Sequence, residues 1–167
     1  TICDVYGGDR RDVLVSLFRR DWETAKRYGV EYVVFHVADS NTEESLRNIY
    51  HHNDAEVIDG ACELLNELLT PEDDGAMLLL ENLWVPGLTM TDPEMTARLL
   101  SGIRYPNKGI MLDTGHLMHT NPDLHTQKEA LAYIHQILDL HGDLCRYIRG
   151  IHLNQSLTGR YQKQVME

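Results

Sequence analysis

Four residues able to hold a cation or move a proton stand at corresponding places along the 167-residue chain. His36 follows Tyr32-Val33-Val34-Phe35, and Glu81 follows Met77-Leu78-Leu79-Leu80. Asp113 follows Ile110-Met111-Leu112, and His152 falls near the end of the run from Ile148 to Leu153. Each closes a short apolar run with the make-up of a buried strand. Two imidazoles and two carboxylates gathered at one mouth form a mixed nitrogen and oxygen site, suited to zinc, manganese or a similar divalent ion. His116, three residues past Asp113 in the turn Asp113-Thr114-Gly115-His116, is placed to reach the same cavity. Each residue also has a plainer reading. A strand-end histidine is commonly a hydrogen-bonded rim residue, Glu81-Asn82 reads as a chain leaving the sheet for solvent, and Asp-Thr-Gly is an ordinary turn composition. The recurrence at all four run ends is what favours a site.

The segments between these runs read as helices. Val13, Leu14, Leu17, Phe18, Trp22, Ala25 and Tyr28 recur at three- and four-residue steps, with Gly29 as a left-handed stop. Val57, Ile58, Ala61, Leu64, Leu65 and Leu68 form a second stripe, closed before Pro71. Thr91-Asp92-Pro93-Glu94 opens a third helix, with a capping side chain, a proline in the first turn and an acid near the positive end of the dipole. Met95, Leu99 and Ile103 are its expected buried face. Ala130, Leu131, Ile134, Ile137 and Leu138 make a fourth, stopped near Gly142, and the tail from Leu157 to Glu167 reads as the start of another.

Four strands alternating with helices predict an α/β protein with a parallel sheet, in which ligands bind where strand ends and βα loops converge. Right-handed crossovers leave an open doubly wound sheet or a barrel. No Gly-x-Gly-x-x-Gly follows any strand, which gives the dinucleotide-binding version no support. Only four units fit, against the ~200–250 residues of a full eight-fold barrel. Residues 1–167 show no linker, low-complexity tract or repeat and read as one domain.

Fifteen basic against 26 acidic residues give a net charge of −11, which argues against a nucleic acid partner and against an anionic membrane surface. The longest apolar run, Ala76 to Leu80, is far short of the ~18 residues that span a bilayer. Cys3, Cys62 and Cys145 are odd in number and widely spaced. They provide neither a disulfide framework nor a metal clip, which points to a reducing, cytoplasmic setting. The opening on Thr1, with no basic-then-apolar signal segment, reads as a trimmed fragment. Other candidates are weaker. His51-His52-Asn53-Asp54 reads as a solvated loop, because adjacent side chains on a helix do not face each other. His119, His125, His135 and His141 follow no ligand spacing, Glu72-Asp73-Asp74 reads as a solvated turn, and no serine sits in a nucleophile elbow.

The order Val33-Val34-Phe35-His36, Leu79-Leu80-Glu81-Asn82, Leu112-Asp113-Thr114-Gly115-His116 and Arg149-Gly150-Ile151-His152-Leu153-Asn154 resembles strands three to six of the xylose isomerase-like TIM barrel superfamily. That group includes sugar isomerases and epimerases and metal-dependent apurinic endonucleases. The resemblance implies a partial (β/α)8-type barrel of about four βα units, the middle of a whole barrel. It implies a divalent metal (manganese, zinc, magnesium or cobalt) held by Glu81, Asp113 and His152, with Glu81 also an acid/base. It further implies a substrate-contacting or zinc-binding His116 and a zinc-binding or pocket His36. Asn154, from the His-Leu-Asn motif, joins them as a candidate metal or substrate contact. Trp84, in the loop with Pro86-Gly87, reads either as an apolar wall against a sugar face or as an anchor of the loop.

The family's last ligand, a glutamate ending strand eight, has no counterpart in these residues. Nor does Gln155 to Glu167 hold the Asp-x-His pair of the endonucleases, although Tyr147 to Asn154 looks closer to their strand than to that of most epimerases. The implied activity is sugar or sugar phosphate isomerisation or epimerisation through an enediolate, on a small-molecule sugar. The alternatives are zinc-dependent cleavage at abasic DNA and an incomplete, inactive barrel. Two open sheet edges would be covered by further protein or by a second copy in a homo-oligomer.

Overall fold

The computed structural model describes residues 11–40, 42–47, 49–72 and 75–154. Helix α1 (Arg11–Tyr28) leads into strand β1 (Tyr32–His36), followed by α2 (Thr42–Arg47) and α3 (Asp54–Leu68). Strand β2 (Met77–Glu81) precedes α4 (Pro93–Gly102), and β3 (Lys108–Asp113) precedes α5 (Thr114–His119) and α6 (Gln127–His141). A 3-10 helix over Gly142–Tyr147 leads into β4 (Ile148–His152). The strands form one parallel sheet in the order β1-β2-β3-β4.

Sequential order and one-sided packing decide between the two expected architectures. The outward side chains Phe35, Leu78, Leu80, Ile110 and Leu112 join a single buried cluster with residues of α1, α3, α4 and α6. A doubly wound sheet would divide its helices between both faces. Here α1, α3, α4 and α6 pack on the face opposite the strand-end polar residues, as in a section of a barrel.

Local signals set the helix starts. Asn53 and Glu56 form a reciprocal capping box at α3, Asp92 caps α4, and Thr126 with Glu129 forms a second box at α6. Each cap is worth about 1 kcal/mol. Gly29 ends α1 with φ +60°. The expected stripes need correction at several positions. Val13, Leu17, Tyr28 and Leu131 are exposed, while Val15, Trp22 and Ile137 face the core. Periodicity locates a helix's apolar arc, but the neighbours decide which part of that arc is covered. Helices α2 and α5 and the 3-10 turn were not expected, being too short for a periodic signal. The tail from Leu157 lies outside the described residues, as does part of the Glu72-Asp73-Asp74 turn.

The β3–β4 ladder contains an irregularity with a functional consequence. Ile148 pairs with Ile110, but the next partners are Gly150 with Met111 and His152 with Asp113, so Arg149 is an extra residue. An unbroken register would have set Ile151 beside Asp113 and turned His152 to the opposite face. Gly109 makes room for the bulge: a Cβ there would collide with Arg149 Cγ and lie 2.9 Å from the Tyr147 carbonyl oxygen.

Candidate metal centre

His36, Glu81, Asp113 and His152 are each the last residue of their strand. His36 pairs in register with Glu81, and Asp113 with His152. The Glu81 carboxylate, 2% exposed, is the centre of the group. His36 Nε2 lies 3.0 Å from its Oε2 and His152 Nδ1 lies 2.9 Å from its Oε1. His116 Nδ1 stands 3.7 Å from Glu81 Oε1 and 3.9 Å from Asp113 Oδ2. One donor atom each from Glu81, Asp113 and His152 lies within 4.8 Å of the others.

Asp113 is held on every side. Its Oδ1 accepts the His116 amide at 2.8 Å, and its Oδ2 accepts Asn154 Nδ2 at 2.6 Å. The expected Asp-Thr-Gly-His turn is therefore the start of α5, with Asp113 as its N-cap. Thr114 Oγ1 accepts the Asn154 amide at 3.0 Å, and its one hydroxyl proton is shared between the carbonyls of Asn154 at 3.1 Å and His152 at 3.3 Å, tying the end of β4 to β3. Asn154 thus contacts Asp113 directly. Gly115 permits this approach, since a Cβ there would lie 2.9 Å from Asn154 Cβ.

Asn82 is the residue whose role the sequence reading missed. It does not leave for solvent; it is fully buried. Its Oδ1 accepts from Asp113 N at 2.8 Å, and its Nδ2 donates to the Asp113 carbonyl at 3.1 Å. Its own carbonyl accepts from His116 Nδ1 at 2.8 Å. A carbonyl only accepts, so Nδ1 carries a proton and Nε2 is the free position of a neutral His116. The one sequence signal was an amide side chain directly after the strand-end glutamate.

Beyond Asn82 a tight loop carries Trp84. Leu83 N donates to the Leu88 carbonyl at 3.0 Å, Leu88 N to Val37 at 2.8 Å, and Gly87 N to Asp54 Oδ1 at 2.9 Å. Burial holds the Asp54 carboxyl above its ordinary range, opposed by that bond from Gly87. Trp84 is 40% exposed, and its ring centroid lies 5.1 Å from that of His116 and 5.2 Å from that of His119. Burial first, then the neighbouring His116, push the His119 imidazole below its usual value.

Other histidines stand apart from this group. The His51-His52 stretch is a loop, as expected, but it is anchored rather than freely solvated. His51 N donates to buried Glu44 at 3.0 Å, and His52 Nδ1 is 3.9 Å from buried Asp39. His141 is buried in the helical layer, where Nδ1 donates to the Ile137 carbonyl at 2.9 Å and Nε2 meets Thr96 Oγ1 at 3.0 Å.

The donor set suits a divalent cation. Two carboxylates, 2% and 3% exposed, stand together at the strand ends. Among the described residues their ion-pair partners are all histidines, with no lysine or arginine. Buried like charges need compensation, and mixed carboxylate and imidazole donors match manganese, zinc or cobalt, with magnesium favouring the oxygens.

The family described as xylose isomerase-like TIM barrel matches residues 5–164, and the chain belongs to it. That family includes sugar isomerases and epimerases and apurinic endonuclease-like members. No curated protein matches the chain. A crystal structure described as AsfvAP:AG superposes with a TM-score of 0.56 at 15% identity, covering 91% of this chain and 47% of that one. A xylose isomerase domain protein from Planctomyces limnophilus gives 0.48 at 18% identity, covering 91% and 48%. The chain spans about half the length of these solved structures. At such identities the likeness is one of fold. No described helix is long and apolar enough to cross a membrane.

Proposed function

We propose that the chain is the working part of a divalent-metal-dependent sugar, or sugar phosphate, isomerase or epimerase, with Glu81, Asp113 and His152 as cation ligands. The observation that supports it is the convergence of those three donors within 4.8 Å at the strand-end face. A bound divalent cation would polarise the sugar carbonyl and stabilise the charge of an enediolate. The chain's own groups do the rest. Glu81 takes the proton from the carbon beside the carbonyl and, in an isomerisation, returns it to the neighbouring carbon; in an epimerisation it abstracts or returns the proton on its own face only. His36, with Nε2 3.0 Å from Oε2, holds that carboxylate in place. His116, with Nδ1 engaged by Asn82, offers Nε2 to a sugar hydroxyl. Trp84 presents an apolar face to the sugar's C–H side. Residues 1–167 act as one partial barrel domain of a cytoplasmic enzyme.

The test is equilibrium dialysis of the full chain against Mn²⁺, followed by a ketose epimerisation assay. Binding near one ion per chain is expected. Glu81→Gln should lower turnover by about 10²–10⁴-fold, the usual contribution of a positioned acid/base. No bound ion, or undiminished binding by Asp113→Asn, would count decisively against the reading.

One observation favours a second reading. The two oxygens of Glu81 face different histidines, His36 and His152, as suits a carboxylate shared by two cations. That arrangement fits phosphodiester hydrolysis at an abasic site, with His36 and His116 holding further zinc ions. The −11 charge opposes it, because duplex binders present positive surfaces to phosphates. A stoichiometry of two or three ions per chain would select it.

A further inference from the structure

The β2–β3 ladder ends with Glu81 opposite Met111, two residues short of Asp113. The alternation that begins with Leu78 N donating to the Asn107 carbonyl would, if continued, bring Asp113 N to the main-chain carbonyl of Asn82. Instead Asp113 N donates to Asn82 Oδ1, and its carbonyl accepts Asn82 Nδ2. A primary amide offers one acceptor and a donor in one plane, as a peptide group does, so this side chain serves as an extra rung of the sheet. The displaced main-chain carbonyl is thereby free to accept His116 Nδ1. The chain can also turn out of the sheet directly after Glu81, towards Trp84, without orphaning the buried polar groups of Asp113.

We infer that Asn82 is a positioning residue, whose carboxamide sets the separation and orientation of the Glu81 and Asp113 carboxylates for cation binding. This rests on the reading of those residues as ligands. Asn82 touches neither cation nor substrate in this role. It acts through Asp113, His116 and its sequence neighbour Glu81.

Asn82→Leu keeps the branched outline, with bulkier ends, and deletes both side-chain hydrogen bonds. Mn²⁺ affinity of the full chain, read by electron paramagnetic resonance of the free ion, should fall about 10–100-fold, the usual cost of losing a partner behind a metal ligand. The Asp113 amide should also exchange faster with deuterium in the absence of any cation. Thr96→Val removes a comparably buried hydrogen bond, to His141 in the helical layer, and should leave Mn²⁺ affinity within about twofold. Asn82→Ser, which has room for a water, is the second variant in case the leucine chain does not fold, and both readouts should move the same way. Wild-type affinity in the Asn82 variants, or an equal loss in Thr96→Val, would overturn the inference and leave the cation reading standing. An unsubstituted chain that binds no Mn²⁺ would overturn both.

Discussion

His152 Nδ1 lies 2.9 Å from Glu81 Oε1, although 71 residues and one whole strand separate the two. Their strands flank β3, and in a flat sheet the two axes would stand about 9.6 Å apart, twice the ~4.8 Å spacing of neighbours. The lengths of the side chains match their places. The short Asp113 rises from the middle strand, and the longer Glu81 and His152 reach over it from either side. The contact also depends on the extra residue at Arg149, which turns His152 onto the Glu81 face. The proposed centre is thus built by side chains from three adjacent strands.

Trp84 offers the most direct probe of the sugar-binding wall. Its side chain is substantially exposed, so Trp84→Ala should change folding stability by no more than about 1 kcal/mol. Loss of a stacking face should raise KM for a ketose about two- to tenfold. The turnover number and Mn²⁺ affinity should change far less. Steady-state kinetics over a range of sugar concentrations would decide it, and an unchanged KM would remove Trp84 from the site.

Gly87 tests the scaffold beneath that tryptophan. Its φ is +138°, and an added Cβ would collide with the Val37 carbonyl and lie 2.9 Å from Ala38 Cα. Gly87→Ala should therefore cost more than about 1 kcal/mol, seen as a lower urea midpoint. Trp84 emission should shift to the red as the loop lifts, against the buried background of Trp22, the only other tryptophan. A wild-type midpoint would show that the close approach of Gly87 to Val37 and Ala38 does not constrain this position.

Cys62 makes a prediction about pH. Burial, reinforced by Asp59, pushes its thiol up to about 11 from an ordinary 9.0. At pH 8 the folded side chain is protonated and enclosed, so iodoacetamide should modify Cys145, which is less buried, well before Cys62. Because the folded value lies above the unfolded one, the stability from this group is whole below pH 9 and is lost as pH rises towards 11. Mass spectrometry of timed alkylation would check the order, and early labelling of Cys62 in the folded chain would contradict it.

The strands, their polar last residues and the principal helices were legible in the sequence because each depends on neighbours within a turn or two. Apolar runs ending at His36, Glu81, Asp113 and His152 marked the strand ends, and Thr91-Asp92-Pro93-Glu94 marked a helix start. The same residues carried the resemblance to the xylose isomerase-like barrel family, to which the chain belongs.

What only the tertiary structure decided is non-local. The bulge at Arg149 fixes which face His152 presents, and a one-residue slip would leave the sequence pattern looking the same while removing the histidine from the group. Asn82, read along the chain as an exit to solvent, is buried because Asp113 needs its amide 31 residues away. Leu131 and Val13 fit helical stripes yet stand exposed, since burial depends on what packs against a helix and not on its own period. Local sequence determines where an element starts and stops through its own backbone hydrogen bonds and caps. The register between strands and the partner of each buried polar group are set by the requirement that all of them be satisfied together, which no short stretch of chain records.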